Sequence, residues 1–343
     1  DVLEGSLYDY SVSVNDVDGD AVAMTATTKP DWLSISDNNT HSLNFDGSND
    51  YGLIPDNASL DFGSSDFTIE YWINKHANSS GWSNIGGVNK WNTGASPGSN
   101  EWTLSPATGA NDNIPVFAIE SGNTIYACGA TTSMTLNTWY HIAGVRSGTN
   151  LLIYVNGQLE NTVAIGNISV NNAGRDVLLA KILACCNTNG QLDEIRIWNL
   201  ARSHAEIQAN MNSGLSGNEN GLVGYWNFNE GSGTTVTDQT SNGNNGTITG
   251  AAWSNDVAYS SYVLSGTPSS LDGGLHNVVL SADDSNGGVT TQSFTVAVSV
   301  THLDIDGTSG FRILSSPISG AIYSDLLDEL WTQGAVGSDH EGA

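Results

Sequence analysis

Short runs in which polar and apolar residues alternate recur through the middle of this chain and constrain its fold most. In the first run, the apolar side chains that share one face are Phe67, Ile69, Tyr71 and Ile73. The same period of two recurs at Leu151, Ile153 and Val155, and again at Ile195 and Ile197. Glycine, asparagine and serine separate these runs. The pattern therefore predicts antiparallel strands with one buried face, packed as an all-β sandwich of two sheets.

Three segments between residues 42 and 253 carry a family resemblance. They read LNFDGSNDYGLIP followed by DFTIEYWIN, then LNTWYHIAGVRSGTNLLIYVNGQLE, and then GQLDEIRIWNLARSHAEI. Together they resemble laminin-G-like modules of the concanavalin A-like lectin/glucanase superfamily. The resemblance implies a jelly-roll sandwich over residues 38–260. It leaves the function open, because that superfamily contains lectins, adhesion modules and glycosidases alike.

Two segments outside that module resemble the halves of a second domain. Residues 1–37 contain alternating strands and the string PDWLSISD, and residues 261–300 contain SGTP followed by two further strands. They resemble the front and back of a cadherin-like, dystroglycan-type immunoglobulin-fold domain of bacterial surface proteins. Neither half has enough strands for a core, so we expect one discontinuous immunoglobulin-like β-sandwich with the lectin-like module inserted in a loop. The alternative is two half-domains completed by other chains, and residues 301–343 are expected to begin a following segment.

The charge balance is strongly acidic. The 343 residues include 36 acidic and 9 basic side chains, which gives a formal charge of −27. Nucleic acid and anionic membranes attract lysine and arginine, so neither is an expected partner, and no apolar run is long enough for membrane insertion. The chain starts at Asp1 without a signal peptide and ends inside a pattern. We therefore expect a piece of a longer secreted protein, extracellular or on the cell surface, that contacts neighbouring domains of the same chain.

Clustered carboxylates favour calcium as a cofactor, because hard cations prefer oxygen ligands. The turn at residues 16–20, DVDGD, resembles the start of an EF-hand loop, but its twelfth position is Thr27 where that loop needs a glutamate. The cadherin-like resemblance implies a shared site whose ligands are Glu4, Asp16, Asp18, Asp20, Asp283 and Asp284. An acidic solvated turn is the alternative. In the lectin-like module, the resemblance implies a second site from Asp46, Asp50 and Asp193, some of them through backbone carbonyls.

Motifs for catalysis are missing from the sequence. A retaining glycosidase needs two carboxylates about 5–5.5 Å apart, and the glucanase pattern ExDxE does not occur. Asp193 and Glu194 are adjacent on a predicted strand, so we expect them to face opposite sides of the sheet. Residues 94–98 fit G-x-S-x-G, but Pro97 has no N–H to donate to an oxyanion. We therefore predict that the protein is not an enzyme.

Tryptophan and asparagine in one loop-like stretch favour a binding role. A tryptophan ring offers a flat apolar face to a sugar, and neighbouring amides and carboxylates can bond its hydroxyls. The candidate glycan-binding residues of this stretch are Trp82, Trp91, Asn89, Asn92, Glu101 and Trp102. One or two of these tryptophans, Trp102 above all, are alternatively ordinary core residues. Trp139 is predicted to lie in the core.

Three cysteines leave an odd thiol if the protein is secreted and forms a disulfide. The possible pairings are Cys128 with Cys185, Cys128 with Cys186, and the vicinal pair Cys185 with Cys186. We favour a bond from Cys128 to one of the other two.

These observations predict a calcium-dependent segment of a large secreted bacterial adhesin that binds carbohydrate or another cell-surface ligand. Two alternatives remain open at this stage. The chain could be a structural spacer without a ligand, or a non-catalytic targeting module of a polysaccharide-degrading enzyme. A groove lined by exposed tryptophan and asparagine would favour a binding role, and a concave face filled by apolar side chains would favour the spacer.

Overall fold

The computed structural model describes residues 1–14, 22–80, 85–91, 98–108, 112–182, 186–284 and 286–300. Asp16, Asp18, Asp20, Trp82, Asn92 and the segment 301–343 lie outside these residues. The described chain is all-β, as the alternating runs predict, with a single α-helix of seven residues among them.

The strands follow one another as short segments joined by turns. The first eight are β1 (Val2–Leu3), β2 (Tyr8–Val14), β3 (Ala23–Thr28), β4 (Leu33–Asp37), β5 (Ser42–Asp46), β6 (Tyr51–Ile54), β7 (Phe67–Lys75) and β8 (Val88–Asn89). The next eight are β9 (Trp102–Ser105), β10 (Val116–Ser121), β11 (Thr124–Gly129), β12 (Trp139–Ser147), β13 (Asn150–Val155), β14 (Gln158–Ala164), β15 (Val177–Leu179) and β16 (Asn189–Trp198). After α1 (His204–Asn210) come β17 (Leu222–Trp226), β18 (Thr235–Val236), β19 (Gly246–Thr249), β20 (Ala252–Ser254), β21 (Ser260–Gly266), β22 (Gly274–Asp283) and β23 (Val289–Ser299).

Strands β5 to β20 build two sheets, which we call the large sandwich. Its front sheet has the order β14-β13-β12-β7-β16-β5-β20, with β17 paired to the second half of β16. Its back sheet has the order β11-β10-β9-β8-β15-β6-β19-β18. One apolar core lies between them, and it contains the inward faces of β7, β13 and β16 that the alternation predicts, namely Phe67, Ile69, Tyr71, Ile73, Leu151, Ile153, Val155, Ile195 and Ile197.

Strands from the two ends of the chain form two smaller sheets, which we call the small sandwich. In one sheet β21 lies between β2 and β4, and in the other β1-β23-β22-β3 follow in that order. Leu33 from the N-terminal part packs in one core with Leu264, Val278 and Val296 from the C-terminal part, and Trp32 packs against that core. Strands from residues 1–37 therefore pair with strands from residues 260–299, and the two segments share one core. The immunoglobulin-like assignment of this sandwich remains a prediction.

The helix α1 covers part of the outer face of the front sheet. Ser203 caps its N-terminus, since the Ser203 hydroxyl accepts from the Glu206 N–H and the Glu206 carboxylate accepts from the Ser203 N–H. Ile207 is fully buried and packs against Ala143, Val145 and Tyr154 on the front sheet. This half of the outer face is closed to solvent, and the other half carries the candidate site.

Candidate functional site: the amide face of the large sandwich

Four side chains from four neighbouring strands of the front sheet lie in a row across its outer face. Gln191 on β16 is in register with Asn44 on β5 and with Asn74 on β7, and Asn74 is in register with Trp139 on β12. Their chain neighbours Leu43, Phe45, Ile73 and Leu192 all point into the core. Successive residues of a strand face opposite sides, so all four row residues face outward. We call Asn44, Gln191, Asn74 and Trp139 the amide row.

A second row borders the amide row on the side away from α1. Asp46 pairs with Asn189, and the His76 N–H donates to the Asn189 carbonyl at 3.0 Å. Asp46 is exposed, whereas His76 and Asn189 are half-buried. We call the amide row and these three residues together the amide face. It presents amide, imidazole and indole groups, which are groups that can bond or stack against the hydroxylated ring of a sugar.

Gln191 is the centre of the hydrogen bonds in the amide row. Its Nε2 donates to Ser254 Oγ at 2.8 Å, to Ser42 Oγ at 3.3 Å and to the Asp256 carbonyl at 3.3 Å. Its Oε1 lies 3.4 Å from Asn74 Nδ2 and 3.2 Å from His76 Nε2. These bonds hold the Gln191 amide in one orientation.

Two amide oxygens of the row have no hydrogen-bond partner among the residues that the structure describes. They are the Oδ1 atoms of Asn44 and Asn74, both shielded from solvent, and the Asn74 side chain is only 5% exposed. A buried acceptor without a donor costs about 1–3 kcal/mol. Beside Asn74, the half-buried Trp139 holds its indole in place by donating from Nε1 to Asp256 Oδ1 at 3.0 Å. The row thus combines unused acceptors with a fixed aromatic ring.

The prediction that Trp139 lies in the core is wrong. Tyr140 is the residue of this pair that packs against the core, and Trp139 occupies the outward position before it. The amide row itself is missed by sequence reasoning. Each of its amides occupies an outward position of a predicted strand, but which outward positions meet depends on the register between β5, β16, β7 and β12.

The prediction that Asp193 and Glu194 face opposite sides of the sheet is also wrong. The pairing of β16 with β7 shifts between Asp193 and Arg196, and Glu194 has a positive φ of 52°. This bulge places one extra residue on the outer side, so that Leu192 and Ile195 are in the core while both carboxylates face outward. The two acidic side chains therefore do share one face.

Glu194 of the bulge and Glu70 on the neighbouring strand β7 are buried beneath the segment that contains α1. Glu194 bonds Arg196 at 2.5 Å and accepts from the Tyr225 hydroxyl at 2.9 Å, and Glu70 accepts from Trp198 Nε1 at 2.9 Å. All of them are at most 1% exposed. Although burial lowers the pKa of Arg196, the charge of Glu194 outweighs it and holds that pKa well above the usual range. A polysaccharide could not reach these groups, which is consistent with a non-catalytic binding module.

Asp193 instead accepts hydrogen bonds from both segments that join the two sandwiches. Its Oδ2 accepts from Asn39 Nδ2 and from the Ala258 N–H, each at 3.0 Å, while its Oδ1 is buried without a partner. Asn39 lies between β4 and β5, and Ala258 lies between β20 and β21. Burial first, and the charge of Glu194 second, raise the pKa of Asp193 well above its usual range.

We expect Asp193→Asn to change how stability depends on pH. Because the pKa of Asp193 is raised in the folded state, its contribution to stability is fully present below the unfolded pKa of about 3.9 and is lost as pH rises through the folded pKa. Asparagine keeps an acceptor and does not titrate. Urea unfolding at a series of pH values above 3.9 should show the free energy of unfolding of Asp193→Asn rising relative to that of the native chain as pH rises. The exposed control Asp31→Asn should show no such relative rise. Parallel pH profiles for Asp193→Asn and the native chain would contradict this assignment.

Three carboxylates on the large sandwich could hold a metal ion. Oxygens of Asp56, Asp61 and Glu101 lie within 4.8 Å of one another, and no other such group of three occurs in the part of the chain that the structure describes. Lys90 Nζ lies among them, at 2.7 Å, 2.5 Å and 3.0 Å respectively. Burial lowers the pKa of Lys90, but the carboxylates outweigh burial and raise it, so the lysine stays charged. A metal ion here would have to displace that ammonium.

The predicted calcium ligands are not brought together. Asp46 lies opposite Asn189, so Asp193 is four residues, about 13 Å, further along β16. Asp46 and Asp50 instead bond their own turn, since Asp50 Oδ2 accepts from the Asp46 N–H at 2.9 Å. The predicted site of Asp46, Asp50 and Asp193 is therefore wrong as a single set of ligands.

In the small sandwich, Glu4 is at the wrong end for the predicted shared site. Its N–H donates to the Ser299 carbonyl, next to the start of β22, whereas Asp283 is the last residue of that strand and Asp284 follows it. Nine residues of β22 separate the two ends by about 30 Å. Asp284 accepts from the N–H groups of Asn286 and Gly288, each at 2.8 Å. The three remaining ligands of that set, Asp16, Asp18 and Asp20, lie outside the described residues.

Three of the predicted glycan-binding residues are fully or almost fully buried. Trp102 is 0% exposed in the core, Asn89 donates to the Lys181 carbonyl at 2.9 Å, and Glu101 is buried against Lys90. A glycan cannot contact them in this fold, so the prediction is wrong for these three. Trp91 is half-buried against Ile85, Ala107, Ile182 and Cys186. Trp82 and Asn92 are outside the described residues.

The favoured disulfide is also wrong. Cys128 is free and fully buried, and burial raises the pKa of its thiol to about 11. Cys186 is disulfide-bonded. Of the three pairings that the sequence leaves open, both that involve Cys128 are therefore excluded.

Residues 46–208 match the family model described as the concanavalin A-like lectin/glucanases superfamily. No protein of curated function matched the chain. No helix in the described residues is both long and apolar enough to cross a membrane.

Solved structures to which this chain is similar include a proposed carbohydrate binding protein from Bacteroides ovatus, at 22% identity and a TM-score of 0.49. That match covers 63% of this chain and 60% of the other, so this chain spans less than two thirds of that relative. Domain 4 of an extracellular arabinanase from Geobacillus stearothermophilus, solved with arabinotriose, is 16% identical with a TM-score of 0.41, covering 55% of this chain and 86% of that one. A pentraxin from Limulus polyphemus is 14% identical with a TM-score of 0.35, covering 50% and 81%.

Proposed function

We propose that this chain is a non-catalytic carbohydrate-binding segment and that the amide face is where the glycan binds. The observation that carries the proposal is the pair of unpartnered acceptors, Asn44 Oδ1 and Asn74 Oδ1, in one row with the half-buried ring of Trp139. Both oxygens lie just beneath the surface of the face, so sugar hydroxyls would donate to them once the two asparagine side chains turn outward, and a sugar ring would stack on the indole. The burial of the adjacent carboxylates Asp193 and Glu194 supports binding without hydrolysis.

Truncation of the amide row tests this proposal. We expect Asn74→Ala and Trp139→Ala each to weaken oligosaccharide binding by about tenfold or more, which corresponds to about 1.4 kcal/mol. Melting temperature should change little, because neither side chain belongs to the apolar core. Titration calorimetry against the oligosaccharide that gives the strongest signal on a glycan array would measure both effects.

Matched controls separate lost contacts from general damage. Asn277→Ala removes an exposed asparagine from a strand of the small sandwich, and Trp253→Ala removes a half-buried indole that packs against the core side. Neither control should weaken binding. Full binding by Asn74→Ala and Trp139→Ala would place the ligand elsewhere. A loss in Trp91→Ala alone would then locate it beside the predicted loop-like stretch 79–100.

The wider setting is also a proposal. We place the protein outside the cell, as part of an adhesin that contacts a glycan surface, and the disulfide of Cys186 supports an oxidising compartment. Calcium, expected from the acidic composition, is proposed to act on stability through the small sandwich, where Asp283 is in register with Ala23. Because the amide row contains no carboxylate, a chelator should leave glycan binding unchanged.

A further inference from the structure

The hydrogen bonds of Gln191 fix the polarity of the amide row. A backbone carbonyl can only accept, so the atom of Gln191 that bonds the Asp256 carbonyl must be the nitrogen Nε2. Gln191 Oε1 therefore points to Asn74, and the atom of Asn74 that meets it must be the donor Nδ2. The remaining atom of Asn74, Oδ1, is then an acceptor. The assignment of this amide follows from the network and not from the placement of one side chain.

A partner that completes the row must consequently donate hydrogen bonds. Asn74 Oδ1 is buried without a donor, and Asn44 Oδ1 stands in the same condition two strands away. A hydroxyl can donate to such an oxygen, whereas a carboxylate or sulfate carries only acceptors and would leave it unsatisfied. At these two positions the row therefore favours a hydroxyl over an anionic group, while discrimination between whole oligosaccharides depends on the charges around the row, because acidic sugars also carry hydroxyls.

The charges around the row act in the same direction. Asp46 and Asp256 are exposed at its borders, and the basic side chain on the amide face is the imidazole of His76. The nearest guanidinium on the same sheet face, Arg196, is 1% exposed and paired with Glu194. The whole chain has a formal charge of −27. An anionic glycan would meet repulsion without a described cation to offset it.

The amide row is longer than one sugar and runs across the strands. It crosses three strand intervals from Asn44 to Trp139, or about 14 Å at the usual spacing of 4.7–4.9 Å between strands. Its acceptors lie at two of these positions, and its aromatic ring lies at one end. A single sugar cannot contact all of them, so the complementary ligand is an oligosaccharide that lies across the strands.

We propose that the amide face selects neutral oligosaccharides, which donate hydroxyl hydrogen bonds to Asn74 and Asn44, and rejects acidic ones. This inference rests on the proposed function, because it concerns the same site. It assigns specificity to the polarity of two amides and to the uncompensated acids at the border.

Binding to two matched sets of hexasaccharides tests the inference on the full chain. The neutral set contains hexamers of glucose, mannose, xylose and arabinose, and the acidic set contains hexamers of galacturonate and mannuronate. We expect at least one neutral hexamer to bind about tenfold or more tightly than either acid, with little dependence on salt. Asp46→Asn and Asp256→Asn should each reduce the ratio of the affinity for the neutral hexamer to the affinity for the acidic hexamers.

Three outcomes are decisive. A neutral preference that narrows in those two variants supports the inference. Equal or tighter binding of an acidic hexamer, weakened by salt, overturns the inference while the proposed carbohydrate binding stands. No binding of any hexamer by a correctly folded chain overturns the proposed function together with the inference that rests on it.

Discussion

Lys90→Met should lower the free energy of unfolding by about 3–5 kcal/mol, the range for breaking a buried ion pair by removing one partner. Lys90 is fully buried among Asp56, Asp61 and Glu101, and Glu101 is itself 1% exposed. Methionine fills a similar volume but leaves three negative groups without their cation. Urea denaturation would measure the loss. The exposed control Lys29→Met should fall within about 0.5 kcal/mol of the native chain.

Calcium makes the same experiment decisive about the acidic group. Without the ammonium, the carboxylates of Asp56, Asp61 and Glu101 become free oxygen ligands for a hard cation. Adding calcium should therefore restore part of the stability that Lys90→Met loses. In the native chain, calcium should not raise stability by binding these three carboxylates. A native stability that rises with calcium and loses this response in Asp61→Asn would show that the group binds a metal ion despite Lys90.

Leu264→Ala should cost about 2–5 kcal/mol, the range for truncating a buried leucine. Leu264 is 0% exposed in the core of the small sandwich. Its strand β21 pairs with β2 on one side and β4 on the other, through Tyr10 and Ile35. The damage should therefore reach both ends of the chain. Leu275→Ala, which truncates a leucine that is 77% exposed in the same sandwich, is the matched control and should cost little.

Hydrogen exchange shows where this damage is felt. In Leu264→Ala, protection should fall together in β2, β4, β22 and β23, while β7 in the large sandwich keeps its protection. If the N-terminal strands keep full protection while the C-terminal strands lose theirs, the two segments do not form one cooperative unit. That result would favour the alternative of separate half-domains.

The buried faces of this fold could be predicted from alternation alone. Every apolar position named on β7, β13 and β16 lies in the core, because a period of two leaves only one way to bury a strand face. The capping box of Ser203 and Glu206 is equally local, because its two residues are three positions apart in the chain. Such features depend on residues close together in the chain.

The site could not be predicted in the same way. The amide row requires the register of four strands that are up to about 150 residues apart in sequence, and register is a property of the whole sheet. The bulge at Glu194 adds one residue to the outer face, and neither its position nor its positive φ is encoded by a glycine. Lys90 looks like any lysine in a polar loop until the fold brings three carboxylates around it.

The most direct test of the account is the titration of an oligosaccharide into the labelled full chain, observed through its side-chain amide signals by NMR. Asn44, Asn74 and Gln191 are assigned from single variants that remove each signal. Saturating the chain with a neutral hexasaccharide should shift these three pairs of amide resonances and the resonance of the Trp139 indole N–H. The reason is that the ligand forms hydrogen bonds with the amides and stacks on the indole ring. Unchanged amide-row signals during saturable binding, with shifts confined to Trp91 and its neighbours, would contradict the central claim.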